Sequence, residues 1–83
     1  MKIHVRYFAS LREALGPGEH VELPAGSSLG ALRAHLVARG GAHAEVLAGP
    51  RPVRCALNQT LADEATVVEE GAEVAFFPPV TGG

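Results

Sequence analysis

The sequence predicts a small α+β domain in which one main helix packs on a mixed sheet of four or five strands. Residues 2–8 and 73–77 alternate in polarity with the period of two that is typical of strands. Residues 29–37 instead repeat apolar side chains at the spacing of a helical face. The chain has 83 residues, of which 47% are apolar and 19% charged, as expected for one globular domain.

The first two predicted strands, residues 2–8 and 19–23, are close enough in sequence to pair in antiparallel fashion. Each has one apolar face, which we expect to lie in the core. The core residues of these strands are Ile3, Val5, Tyr7, Val21 and Leu23. The charged or polar side chains of Glu19, His20 and Glu22 are expected to contact water.

Two helices are predicted in the first half of the chain. Ser10 precedes Glu13 by three residues, which is the spacing of a capping box, and predicts a short helix that ends at Gly16. Ser28 can cap a longer helix over residues 29–37, because its leucines fall on one face. Only this second helix is long enough to cover a sheet.

The second half of the chain contains the remaining predicted strands. Residues 53–57 and 73–77 form two of them, and a short strand is expected near residues 66–68. Residues 42–52 follow no clear pattern, although residues 44–48 could form one helical turn. If the first and last strands lie side by side and parallel at the sheet centre, the result is a β-grasp fold over residues 1–77.

Composition excludes several classes of function. Seven Lys and Arg against nine Asp and Glu give a net charge of −2, so the chain lacks the basic surplus of a nucleic-acid-binding protein. No apolar run approaches the ~20 residues of a membrane helix, and the N-terminus does not resemble a signal peptide. A single cysteine suits a reducing compartment, so we expect a cytoplasmic protein. So short a chain forms only a thin core, which argues against an enzyme that acts alone.

The candidate nucleophiles and metal ligands favour structural roles. Cys55 shares a strand face with apolar neighbours, so a buried thiol is expected rather than a reactive one. The four histidines are scattered and no cysteine pair exists, so neither a metal site nor a stably bound cofactor is predicted. The acidic cluster of Glu69, Glu70 and Glu73 is expected to be a solvated loop.

The last six residues, PPVTGG, give the strongest chemical signal. Pro78 and Pro79 end the sheet and favour an extended, flexible tail over residues 78–83, which can span about 20 Å. Gly82 and Gly83 lack side chains, so they could enter a channel too narrow for any other residue. A terminal carboxylate is ionised and is a poor acyl electrophile at neutral pH, so chemistry at Gly83 requires activation, for example by adenylation. The alternative is an inert, frayed terminus.

Aromatic side chains are expected on the sheet face opposite the helix. Phe8 and Phe77 both fall on this face, at the end from which the tail departs. Three further apolar residues could extend the patch: Leu61, Pro78 and Val80. An exposed apolar patch beside a reactive tail indicates docking on a partner protein. The alternative is that one phenylalanine fills a gap beneath residues 58–65.

Three segments carry a resemblance to a known family: FASLRE at residues 8–13, LNQTL at 57–61 and GAEVAFFPPVTGG at 71–83. Together they resemble the small subunit of molybdopterin synthase, a family of ubiquitin-like sulfur carriers in molybdenum-cofactor synthesis. The resemblance implies that an ATP-dependent enzyme adenylates Gly83. A sulfur donor of the desulfurase or rhodanese type would then convert it to a thiocarboxylate.

The same resemblance implies the partners and the residues that contact them. The tail residues Pro79, Val80, Thr81 and Gly82 would insert into the active site of the large subunit. There Gly83 would deliver sulfur to cyclic pyranopterin monophosphate to form the dithiolene of molybdopterin. The implied partner interface consists of Phe8, Leu61, Phe77 and Pro78. The family assembles as a heterotetramer of two small and two large subunits, and its catalytic side chains belong to the large one.

Three alternatives remain open from the sequence. The chain could carry sulfur for another pathway of the thiamine type, since a Gly-Gly end suits that carrier too. It could be a ubiquitin-like modifier whose activated Gly83 is conjugated to lysines. It could also be an interaction domain with an inert tail.

Overall fold

The computed structural model describes residues 1–48 and 52–79, which form one sheet and three helices. The strands are β1 (Lys2–Tyr7), β2 (Gly18–Glu22), β3 (Arg54–Leu57), β4 (Thr60–Ala62) and β5 (Glu73–Phe77). The helices are α1 (Ala9–Leu15), α2 (Leu29–Val37) and α3 (Gly41–Leu47). This confirms the predicted α+β class.

The sheet has the order β2-β1-β5-β3-β4, with β5 at its centre. β1 and β5 run parallel, and Tyr7 lies beside Phe76 in their register. β2 pairs antiparallel with β1, and β3 pairs antiparallel with β5. The first and last strands are therefore neighbours at the middle of a mixed sheet, as the β-grasp prediction requires.

The core lies between the helices and one face of the sheet, called here the inner face. Its largest fully buried side chains are Ile3, Val5, Tyr7, Leu29, Leu32, Leu36, Leu47, Val68, Val74 and Phe76. The leucines of α2 supply the helical layer, as their spacing predicted. Ser28 caps this helix, because its Oγ accepts a hydrogen bond of 3.1 Å from the backbone N–H of Ala31.

The start of α1 differs from the prediction. The expected capping box of Ser10 and Glu13 is absent: α1 begins at Ala9, with Phe8 in the N-cap position and no side-chain cap. Main-chain contacts fix this junction instead. The Phe8 N–H donates to the Phe76 carbonyl at 3.1 Å, and the Phe8 carbonyl accepts from Leu11 N–H at 3.1 Å.

The short fourth strand was predicted in the wrong place. It covers Thr60–Ala62 rather than residues 66–68. Asn58 and Gln59 adopt positive φ angles of 48° and 70°, which turns the chain back at once and pairs β4 with β3. Val67, by contrast, forms only an isolated bridge to Ser28.

The segment without a clear pattern contains a helix longer than the single turn that was considered. α3 follows Gly40, whose φ of 73° allows a sharp turn after α2. Leu47 is fully buried and ties α3 to the core. The Arg33 side chain on α2 donates from Nε and Nη2 to the Leu47 carbonyl, at 2.8 and 2.5 Å.

The expectation that Glu19 contacts water, like His20 and Glu22, is wrong. It opposes Val5 in the β1–β2 register and therefore lies on the inner face. Its carboxylate accepts a hydrogen bond of 2.8 Å from the Tyr7 hydroxyl, lies 2.9 Å from His43 Nε2, and pairs with Arg39. Burial works to raise the pKa of Glu19, but these hydrogen bonds outweigh it and lower the pKa to about 2.

Candidate functional site

The sheet face opposite the helices, called here the outer face, carries the predicted aromatic residues. Tyr7 and Phe76 are neighbours in the core. Phe8, directly after β1, and Phe77, the last residue of β5, each come one residue later and therefore reach the same end of the sheet. Both rings are half-buried. Pro78 follows directly and is also half-buried. Phe8 and Phe77 therefore lie where the chain leaves the sheet.

Leu61 extends the apolar surface across the outer face. Its side chain is 65% exposed. Leu61 opposes Ala56, and Ala56 opposes Ala75, so these three residues form one row across β4, β3 and β5. We call Phe8, Leu61, Phe77 and Pro78 the outer patch. The two alanines contribute only small side chains to the surface between Leu61 and Phe77.

Basic and polar side chains border the outer patch. The Arg6 guanidinium lies 5.1 Å from the centroid of the Phe8 ring, within range of a cation–π contact. Arg54 is exposed and opposes Phe77 in the β3–β5 register. Farther from the tail, the His4 ring stacks on that of His20 with centroids 4.7 Å apart.

The tail is described only as far as Pro79. The predicted insertion residues Val80, Thr81 and Gly82, and the predicted reactive Gly83, lie outside the described residues. Their roles stay predictions. The described part does show that the tail begins at the end of the central strand, directly beside the outer patch.

Cys55 lies on the inner face, as predicted, and is 8% exposed. Its Sγ donates to the Ala62 carbonyl at 3.4 Å. Burial is the main cause that raises the pKa of this thiol, with the carboxylate of Glu64 adding to it. A raised pKa disfavours the nucleophilic thiolate, so the side chain acts as a small apolar core group.

Within residues 1–48 and 52–79, no three His, Cys, Asp or Glu side chains are arranged to hold a metal ion. None of the three described helices is long and apolar enough to cross a membrane. The acidic turn is exposed at Glu69 and Glu70, and Glu70 accepts a hydrogen bond of 2.5 Å from the Lys2 N–H. The outer face is instead characterised by the outer patch and by the arginines that border it.

The sequence profile of the ThiS family matches residues 5–83, which include both the outer patch and the tail. The chain belongs to the ThiS family. It is 38% identical over 81 residues to the molybdopterin synthase sulfur carrier subunit of Escherichia coli K12, covering 98% of this chain and 99% of that one. The resemblance recognised from the sequence is thereby confirmed.

Solved structures agree with this assignment to the ThiS family. The crystal structure of SAMP1 from Haloferax volcanii superposes with a TM-score of 0.84 at 25% identity, covering 100% of both chains. A complex of subunits 1 and 2 of the molybdopterin-converting factor from Helicobacter pylori matches with a TM-score of 0.72 at 28% identity, again over 100% of both chains. The predicted ubiquitin-like β-grasp fold is confirmed.

The structure brings Phe8, Leu61 and Phe77 to one face, but their contact with a partner stays a prediction. The sequence reading missed the basic border of this face. Arg6 could have been found, because it alternates with the core residues of β1. Arg54 could not be placed beside Phe77 without knowing that β3 pairs with β5.

Proposed function

We propose that this protein is a sulfur carrier subunit of molybdopterin synthase. In this role the Gly83 carboxylate is converted to a thiocarboxylate, which supplies sulfur to cyclic pyranopterin monophosphate in the active site of a large subunit. The observation that supports this most is the full-length similarity to a subunit of that name in Escherichia coli. The match to subunit 1 of a two-subunit converting factor agrees with it.

The proposed chemistry explains why the chain would need an activating enzyme. The oxygen of a carboxylate is a poor leaving group, so adenylation by an ATP-dependent enzyme would first make AMP the leaving group. Sulfur from a desulfurase or rhodanese type of donor would then replace AMP. The thiocarboxylate sulfur is a better nucleophile than the carboxylate oxygen, which suits it to attack the pterin precursor.

The described body of the protein suits presentation of the tail rather than catalysis. Its one cysteine is buried, and Glu19 is engaged by three neighbouring side chains. The six residues after Phe77 can span at most about 20 Å, enough to enter a neighbouring active site. Acid–base groups for sulfur transfer would then come from the large subunit. A heterotetramer of two small and two large subunits in the cytoplasm is the expected assembly.

The direct test is mass spectrometry of the intact chain after incubation with ATP, the activating enzyme and a sulfur source. We expect one oxygen to be replaced by sulfur, with the change located at Gly83. Deletion of Gly83 should abolish this exchange and all transfer to the pterin precursor, while the urea unfolding curve stays unchanged. The matched control is Glu13→Gln, at an exposed position of α1, which should react like the wild type. An unmodified wild-type carboxylate under these conditions would refute the proposal.

A second candidate, a protein modifier, is favoured by the close superposition with SAMP1. In that role the activated Gly83 would form isopeptide bonds with lysines of other proteins. Adducts in cell extracts that disappear when Gly83 is deleted would support it. Sulfur delivery to a thiamine precursor instead of the pterin would indicate the thiamine-type carrier. An unchanged cellular function after truncation of the last two glycines would leave only an interaction domain.

A further inference from the structure

The pairing registers arrange the outer face in rows, and the two rows nearest the tail have an unusual composition. The first row contains Phe77 of β5 and Arg54 of β3, together with Phe8, which follows the last residue of β1 in an extended conformation. The second row contains Gly18, Arg6, Ala75, Ala56 and Leu61, from β2 across to β4. Within the strands themselves, these two rows contain two arginines and no carboxylate; Asp63 comes directly after Ala62, which opposes Cys55 at the end of β4.

The rows farther from the tail differ in charge. They pair His20 with His4 and Glu22 with Lys2, and His4 lies beside Glu73. Glu73 is 4.0 Å from the Arg6 guanidinium, so it neutralises Arg6 only in part. Positive charge on this face is therefore concentrated at the tail end, in a protein whose net charge is −2.

The two arginines border the apolar patch on opposite sides. Arg6 is on β1 and Arg54 is on β3, with the central strand β5 between them. At the usual strand spacing their backbones are about 10 Å apart. Between them lie the Phe77 ring and the small side chains of Ala75 and Ala56. The surface is thus apolar, with an arginine on each side.

The protein that receives the tail must also cover this surface, if Gly83 reacts as proposed above. The tail starts beside Phe77 and can span at most about 20 Å. A partner whose active site holds Gly83 therefore has its own surface against the end of β5. Apolar side chains of such a partner would pack against the two alanines and Phe77.

We propose that Arg6 and Arg54 select and capture this partner, the large subunit of the synthase, by pairing with two carboxylates that flank apolar side chains on its docking surface. This inference rests on the proposed function and adds the charge pattern of the partner. Charges at the edge of an interface act mainly on the association rate, and their effect is screened by salt. The two arginines would therefore speed encounter, while the outer patch would set the lifetime of the complex.

The test measures the association rate of the full chain with the large subunit of the same organism, by stopped-flow fluorescence at low and high salt. Arg6→Glu and Arg54→Glu should each lower the rate by about tenfold at low salt, with a much smaller effect at high salt. The matched control is Lys2→Glu, the same charge reversal on the same face but far from the tail. It should change the rate less than twofold. Circular dichroism would verify that each variant is folded.

Three results would overturn the inference. The first is that the two arginine variants associate as fast as Lys2→Glu. The second is that they associate faster than the wild type, which would indicate a basic partner surface. The third is that the wild type alone sediments as a dimer that Arg54→Glu dissociates, because a second copy would then occupy the face.

The same samples separate this inference from the proposed function. If the wild type forms no thiocarboxylate and does not bind the large subunit, the proposed function fails. If the wild type does both and the arginine variants behave like Lys2→Glu, only the inference on charge fails.

Discussion

Two pairs of aromatic residues, one step apart on the same two strands, differ completely in environment. Tyr7 and Phe76 lie in the core and are each 1% exposed, whereas Phe8 and Phe77 are half-buried on the outer face. The Tyr7 and Phe76 rings are stacked with centroids 6.4 Å apart. Because side chains alternate along a strand, one residue step separates a group that holds the fold together from a group free to contact a partner.

The largest effect should come from Phe76, the residue of β5 that lies on the inner face. Phe76→Ala removes a fully buried ring and should lower the free energy of unfolding by about 3–5 kcal/mol. Phe77→Ala, one residue later, should lower it by less than about 1 kcal/mol, because its ring is already partly hydrated. Urea unfolding of both variants makes the comparison. Equal losses of stability would show that the two faces do not differ as described.

When binding to the large subunit is measured, Phe77→Ala should have a larger effect than Phe76→Ala. Phe77→Ala should weaken the complex by about 2 kcal/mol, since buried aromatic residues at the centre of an interface contribute most of the affinity. Val67→Ala is the control, because Val67 is also exposed but lies outside the outer patch. Isothermal titration would give both dissociation constants. An affinity loss as large for Val67→Ala would mean that the patch has no special role.

Glu19 is a charged residue on the inner face and makes stability depend on pH. The unfolded chain binds its proton near the ordinary pKa of 4.5, whereas the folded chain does so only near 2. Stability from this group is therefore complete above about pH 4.5 and is lost as the pH falls towards 2. Glu19→Gln should cost about 1–3 kcal/mol at pH 7, because Arg39 loses its ionic partner and the hydrogen bonds of Tyr7 and His43 to a carboxylate are lost.

Urea unfolding across this pH range would test the Glu19 prediction. The wild type should lose stability more steeply than Glu19→Gln as the pH falls. Glu22→Gln is the matched control, because Glu22 is exposed on the outer face of the same strand. Parallel curves for all three proteins would contradict the assigned role of Glu19.

The smallest effect on the fold should come from Leu61. Leu61→Ser should change the free energy of unfolding by no more than about 0.5 kcal/mol, since the side chain is already mostly in water. Its affinity for the large subunit should still fall, by about 1 kcal/mol. Thr60→Ser, at the exposed neighbouring position, serves as the control. A Leu61 variant that binds like the wild type would remove this residue from the interface.

Local sequence patterns predicted the features that depend on alternation or helical spacing. The inner face of β1, the leucine face of α2 and the Ser28 cap all follow from spacing within a few residues. These patterns did not predict the position of β4, because Val67 and Val68 have high strand propensity but no partner strand. The turn at Asn58–Gln59 determines the position of β4 instead, since it pairs the residues that follow it with β3.

The candidate site was predictable to a similar degree. The alternation in β1 and β5 placed Phe8 and Phe77 outside the core, and the structure agrees. Glu19 was misplaced because it was judged by its charge rather than by its pairing with Val5. The partners that make its burial acceptable are Tyr7 on β1, Arg39 between α2 and α3, and His43 on α3. Arg54 needed the long-range pairing of β3 with β5, which no local pattern encodes.

The central position of β5 has a mechanical consequence for whatever grips the tail. A pull on the tail loads β5 along its own axis. Its hydrogen bonds to β1 on one side and β3 on the other then resist together, in shear, rather than opening one after another. An edge strand would have only one neighbour to share the load. The protein can thus be drawn tightly against an enzyme by its terminus, and later be withdrawn, with its body intact.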